Sequence, residues 1–231
     1  LELLQERMFN PKFTQQAYDR IQMQAAQYFK QQKGNPSAIA NQVFARLNYG
    51  PNHILGISED GTAETVKNIT LQDIEDYYKN YMTSVDAKVV VVGDISQAEI
   101  LPKLKFLDKL PRKKIVLPEV DSTPTVDKTK VYVVDIPKGA QTQFRVGYTT
   151  GLKYDPVGEY YKATLMNYPL GGNFNSRLNL NLREDKGWTY GARSYVTGDK
   201  YTGEFEFSAG IKADATDSAL VEVMGEIKSY L

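Results

Sequence analysis

Glu204-Phe205-Glu206-Phe207 constrains the chain more than any other segment, because charged and aromatic residues alternate there one by one. Only a β-strand, whose side chains point to opposite faces in turn, converts that alternation into one wet and one packed face. The pattern extends over 203–211, and the run at 188–195 is suited to pair with it antiparallel. Before this pair stand an expected strand at 131–136, a turn at Lys138-Gly139 and a strand at 141–148. Asp155-Pro156 opens a helix carrying Tyr160, Ala163, Leu165 and Met166. Gly171-Gly172 reads as a break. Asn175 is placed to cap a helix over 176–184, with Leu178 and Leu182 four apart on one face, and Gly187 fits the position just past its end. A last helix carries Leu220, Val223, Met224 and Ile227. The order β-β-α-α-β-β-α predicts an α+β fold built from sheet and helix layers.

The first third is helical in pattern. Thr14 is placed to cap a helix with Ala17, Ile21, Ala25 and Tyr28 on one stripe, which Gly34 stops. Asn35-Pro36 combines a cap with proline at the first helical position, and the helix that follows shows Ile39, Val43, Phe44 and Leu47 on one face. Thr70 with Asp73 forms a capping-box pattern before Leu71, Ile74, Tyr77, Tyr78 and Tyr81. Val89-Val90-Val91-Val92, ending at Gly93-Asp94, reads as a strand buried on both faces. Ser96 starts a short helix that Pro102 must kink or restart. Pro111, Pro118 and Pro124 then fall in a stretch without helical period over 108–128. Two domains are therefore expected, over 1–112 and 129–231, joined by a linker at 113–128.

Lys plus Arg equal Asp plus Glu at 28 each, without the basic excess of a nucleic-acid-binding protein. No apolar run approaches the roughly 20 residues of a membrane helix. Cysteine is absent, which excludes disulfides and thiolate chemistry and leaves the compartment open between cytoplasm and cell envelope or periplasm. The single histidine, His53, cannot supply the two or three imidazoles a zinc enzyme usually uses. It reads as a structural or exposed loop residue. The Gly171-Gly172-Asn173-Phe174-Asn175 stretch lacks the Lys-Ser/Thr of a phosphate loop and reads as a turn that lets backbone approach a neighbouring surface. Arg183 falls in the last turn of its helix and Tyr190 begins the strand after Gly187. A guanidinium and a phenol on one side of a sheet can bind a peptide carbonyl and stabilise a developing oxyanion. An arginine complementing a helix dipole and a tyrosine filling a strand position explain the same spacing.

The stretch from Leu170 to Gly191 resembles the insulinase/pitrilysin, or inverzincin, peptidase family. Gly172, Ser176, Arg177, Leu178, Leu182, Arg183, Glu184, Gly187 and Tyr190 match its G-x-x-x-S-R-L-x-x-x-L-R-E-x-x-G-x-x-Y pattern. Upstream, Asn10-Pro11-Lys12-Phe13, Tyr49-Gly50 through His53, Gly61-Thr62 and Val89 to Asp94 follow the family's order for the closing half of a domain. The resemblance implies two insulinase-like α/β sandwich units with antiparallel or mixed sheets, the first incomplete at its N-terminus and the second at its C-terminus. It implies that Arg183 and Tyr190 reach across a chamber to a zinc site held elsewhere, with Gly172 and Gly187 supporting the turn and Glu184 buried or helix-capping. The family's zinc motif, H-x-x-E-H plus a distal Glu, does not occur in this chain. The chain is thus expected to bind no metal and no cofactor, to be inactive by itself, and to partner a zinc-carrying catalytic half, in the same chain or in a separate subunit, on peptide substrates. The rival expectation is a catalytically silent assembly subunit of the same fold.

Overall fold

The computed structural model describes the chain apart from residues 118, 121, 122 and 125. Pro118 and the other three positions of the expected linker lie outside the described residues. Contacts divide the chain into two compact units, residues 1–29 with 61–119 and residues 30–60 with 120–231. Residues 30–60, placed in the first domain from sequence, thus pack with the second unit.

In the first unit, α1 (Glu2–Phe9) precedes α2 (Gln15–Gln32), whose start is capped by the Thr14 hydroxyl accepting from Ala17 N–H at 3.2 Å. The covered positions of α2 include Ala17, Tyr18, Gln22, Ala25 and Phe29; Ala17 and Ala25 belong to the expected stripe, whereas Ile21 and Tyr28 are exposed. Polar side chains set this phase. The Tyr18 hydroxyl donates to Ile69 O at 2.6 Å, and Gln22 Nε2 donates to Val66 O at 3.0 Å. Helices α4 (Leu71–Tyr81) and α5 (Gln97–Leu104) both open on capping boxes, Thr70 with Asp73 and Ser96 with Glu99. Those contacts hold both carboxyls below the ordinary range, through the Thr70 and Ser96 hydroxyls first. Phe9 meets Phe106 edge to face, and Phe13 meets Tyr78.

The expected strand at Val89–Val92 does not form, and Val90 and Val92 are 84% and 93% exposed. The expected strand at 131–136, in the second unit, likewise forms no ladder. A β-branched run supplies propensity, but a strand exists only where a second strand takes its N–H and C=O groups. Among the described residues neither run has one.

The second unit is built on a three-stranded antiparallel sheet in the order β1-β3-β2, from β1 (Gln141–Thr149), β2 (Thr189–Gly198) and β3 (Gly203–Lys212). The alternation in β3 places Phe205, Phe207, Ala209 and Ile211 on one face. There they meet Leu178, Leu182, Ala219 and Val223 from the helices below. Phe207, Leu178, Leu182, Ile211 and Val223 are fully buried, each contributing about 1.5–3 kcal/mol by leaving water. The helices of this face are α6 (Glu159–Asn167), α7 (Arg177–Asn179) with its π-helical continuation Leu180–Asp185, and α8 (Thr216–Tyr230). The opposite face is not simply wet, as the alternation suggested. Helix α3 (Pro36–Tyr49), capped by Asn35, lies over it and encloses Arg145, Glu204 and Glu206. No helix among the described residues is long and apolar enough to cross a membrane.

Candidate functional site

Strand β2 is an edge strand, so half of its backbone groups have no ladder partner. Asparagine side chains from the helices satisfy two of them, Ser194 O and Ala192 N–H. Asn167 Nδ2 donates to Ser194 O at 2.8 Å, and the Ser194 hydroxyl donates to Asn167 Oδ1 at 2.6 Å. Asn179 Oδ1 accepts from Ala192 N–H at 3.0 Å, while Asn179 Nδ2 donates to Phe174 O at 2.7 Å.

The segment between these asparagines departs from the expected break and cap. Helix α6 runs on into a π-helical turn, Tyr168–Gly172, and a Cβ at Gly171 would collide with Ser194. The glycine thus permits the close backbone approach, and the helix widens before it stops. Ser176, not Asn175, occupies the cap position of α7, and no side chain caps it. Asn173 closes the loop instead, accepting from Asn175 N–H at 2.8 Å and donating to Tyr168 O at 2.6 Å. Gly172 ends the π turn beside Asn167 O.

Arg183 lies in the π-helical continuation of α7. Its guanidinium sits 4.4 Å from the centroid of Phe174, and its Nε is 3.6 Å from Glu184 Oε1. Glu184 is half exposed and is neither buried nor a cap. The helix closes with Gly187 in the left-handed region at φ 64°, Gly187 N–H donating to Arg183 O and Trp188 N–H reaching back to Leu182 O at 2.9 Å. Glycine takes that conformation without the steric cost other residues meet.

Tyr190 follows in a β-bulge. Thr189 pairs with Ile211 and Ala192 with Ala209, so Tyr190 and Gly191 stand opposite Gly210 alone. The Thr189 hydroxyl locks the bulge, donating to Gly191 O at 2.9 Å and accepting from Gly191 N–H at 3.1 Å. An extra residue re-aims the side chains around it, and Tyr190 is 90% exposed. Among the described residues its hydroxyl has no hydrogen-bond partner, and no hydrogen bond or ring contact joins it to Arg183. The fold therefore presents both groups on consecutive structural elements without tying them to each other.

A second polar cluster, which the sequence reading missed, lies under α3. Arg145 Nε is 3.1 Å from Glu206 Oε1 and 2.8 Å from Asn41 Oδ1, and its two terminal nitrogens donate to Phe144 O and Ser37 Oγ. Burial lowers the Arg145 pKa and raises that of Glu206, in each case against the attraction of the partner. The Tyr49 phenol is pushed well above its ordinary range, by burial first and then by the neighbouring Glu204 carboxylate, with which it hydrogen-bonds. A cavity of about 400 Å³ opens beside this cluster, lined among others by Phe44, Tyr195 and Ser208. Glu204 and Glu206, two apart in one strand, were the available sequence signal for it. His53 is buried, stacks on Tyr49 at 5.4 Å between ring centroids, and accepts Leu55 N–H at its Nδ1.

Among the described residues no three His, Cys, Asp or Glu side chains converge in a way that could hold a metal ion.

Residues 68–231 match the Peptidase M16 inactive domain family. The chain is 24% identical over 216 residues to the "uncharacterized zinc protease YmxG" of Bacillus subtilis (strain 168), covering 93% of this chain and 51% of that protein. Among solved structures it is similar to a peptidase M16 inactive domain from Pseudomonas fluorescens, with a TM-score of 0.88 and 25% identity over 99% of this chain and 55% of that one. It shares the fold of pitrilysin, with a TM-score of 0.61 and 16% identity over 97% of this chain and 25% of that one. The chain thus spans about half the length of the first two relatives. With the family match covering most of its length, and with the Arg183-to-Tyr190 motif in place, this chain belongs to the peptidase M16 family through its inactive domain.

Proposed function

We propose that this chain is the substrate-binding, non-zinc portion of a zinc-dependent metalloendopeptidase that hydrolyses peptides in a closed chamber. The observation that carries this reading is the bulge at Tyr190. It lifts a phenol that has no hydrogen-bond partner among the described residues out of the sheet, directly after the helix end that carries Arg183. A solvent-facing tyrosine contributes little to folding, so a locked bulge that presents one favours an external ligand. The Arg183 guanidinium holds a substrate carbonyl before and during the reaction. The Tyr190 hydroxyl donates to the oxygen that gains charge as that carbonyl is attacked. Zinc and the glutamate that activates water are assigned to a catalytic half bearing H-x-x-E-H, in the same chain or in a separate subunit. The zinc-protease name of the Bacillus subtilis relative, about twice as long, supports this arrangement.

The test is kinetic, on the enzyme containing both halves. Tyr190→Phe is expected to lower kcat by about 10²–10³ with little change in KM. Arg183→Ala should raise KM as well, and Arg183→Lys should restore little, because an ammonium cannot reproduce a planar fork. Neither change should move the melting temperature. Wild-type turnover in a folded Tyr190→Phe enzyme ends the assignment and favours the silent assembly subunit.

A further inference from the structure

Asn179 is 3% exposed and uses both ends of its amide. Its oxygen takes Ala192 N–H, the edge-strand donor directly after the Tyr190 bulge, and its nitrogen donates to the carbonyl of Phe174, whose ring lies against Arg183. One buried amide thus joins the loop under the guanidinium to the point where the phenol leaves the sheet. We propose that Asn179 is a positioning residue that sets the geometry of the Arg183/Tyr190 pair. The proposal rests on the reading that those two residues form a functional pair, but its central claim is structural.

The chemistry at this position is restrictive. Aspartate keeps an acceptor for Ala192 N–H but sets a carboxylate oxygen against Phe174 O. Leucine keeps the approximate volume and loses both bonds, leaving the buried Ala192 N–H and the half-buried Phe174 carbonyl unpaired. Serine reaches neither partner well. Asn167, the other edge-covering asparagine, bonds Ser194 at both ends of its amide and not the Phe174 carbonyl.

The experiment uses nuclear magnetic resonance on the full chain with labelled tyrosine rings and arginine side chains. In the wild type the Ala192 amide should exchange as slowly as amides paired within the sheet, although it lies on the unpaired edge. In Asn179→Asp and Asn179→Leu, the Tyr190 ring and Arg183 Nε–H resonances should both move, and Asn179→Leu should speed Ala192 exchange roughly tenfold or more, as expected for one lost hydrogen bond. Phe174→Leu, which keeps the carbonyl, should move Arg183 and leave Tyr190 in place. In the enzyme containing both halves, Asn179→Asp should lower kcat more than it changes KM, and its effect should fall below about twofold when Tyr190 is already phenylalanine, the non-additivity of residues acting as a unit. A fast-exchanging Ala192 amide in the wild type overturns the proposal. So do resonance changes confined to the neighbours of residue 179, or full additivity with Tyr190→Phe. If Tyr190→Phe alone keeps wild-type turnover while both resonances respond to residue 179, the catalytic role of Tyr190 falls and the positioning role stands.

Discussion

The two faces of the β1-β3-β2 sheet carry the same alternation and use it differently. Toward α6, α7 and α8, Phe207, Ala209 and Ile211 meet leucine, alanine and valine in a dry core. Toward α3, Arg145, Glu204 and Glu206 are enclosed with Tyr49 and asparagines, Arg145 held by Glu206, Asn41 and Ser37, and Glu204 by Tyr49 and Asn48. The first face is stabilised by removing carbon from water. On the second, each ion loses hydration and recovers it from the protein, so the net gain is small although the geometry is specific. Both Arg145 and Glu206 shift against ionisation, which shows burial outweighing their mutual attraction.

The sharpest break of this comparison is on the dry face. Phe207→Ala should cost about 3–5 kcal/mol, measured by urea unfolding, because it removes a fully buried ring and leaves a cavity. On the charged face, Arg145→Met alone should cost less, about 2–3 kcal/mol, since the Glu206 left behind is partly exposed and can take up water or a proton. Adding Glu206→Leu should return stability to within about 1 kcal/mol of the parent. A double variant as unstable as Arg145→Met would show that the pair stabilises the fold outright. The smallest effect concerns Tyr49. Its folded pKa lies above the unfolded one, so the contribution is complete below the unfolded value of 10.0 and is lost as pH rises beyond it, when only the unfolded chain gives up the proton. Thermal melts should therefore fall above about pH 10 for this reason, and the Tyr49→Phe melts should fall less steeply over the same range.

Local chemistry was readable from the chain. Thr70 with Asp73, Ser96 at a helix start, Asn35 before Pro36 and Gly187 at a helix end are decided by contacts within a few residues, and each acts as its sequence predicts. The β3 alternation and the Arg183-to-Tyr190 motif are readable for the same reason. Ile21 and Tyr28 of α2 face solvent against the expected stripe because Tyr18 and Gln22 bond to carbonyls about 50 residues away. The cluster under α3 was missed because Ser37 and Asn41 meet Arg145 across more than 100 positions.

The sequence by itself determined the α+β class, the helix ends marked by Thr70, Asn35 and Gly187, the strand pair and the family, because these follow from periodicity, capping and a contiguous motif. Tertiary structure decided which face of β3 holds charge, which valine runs stay unpaired, and how Tyr190 is presented. The physical reason is that pairing and burial depend on what lies opposite. Val89–Val92 and β3 have comparable local preference, yet only β3 has strands on both sides to complete its hydrogen bonds. The Tyr190 bulge is likewise invisible in the local pattern. It exists because a ten-residue β2 is registered against β3 with one residue to spare, and Asn179 closes the edge that remains.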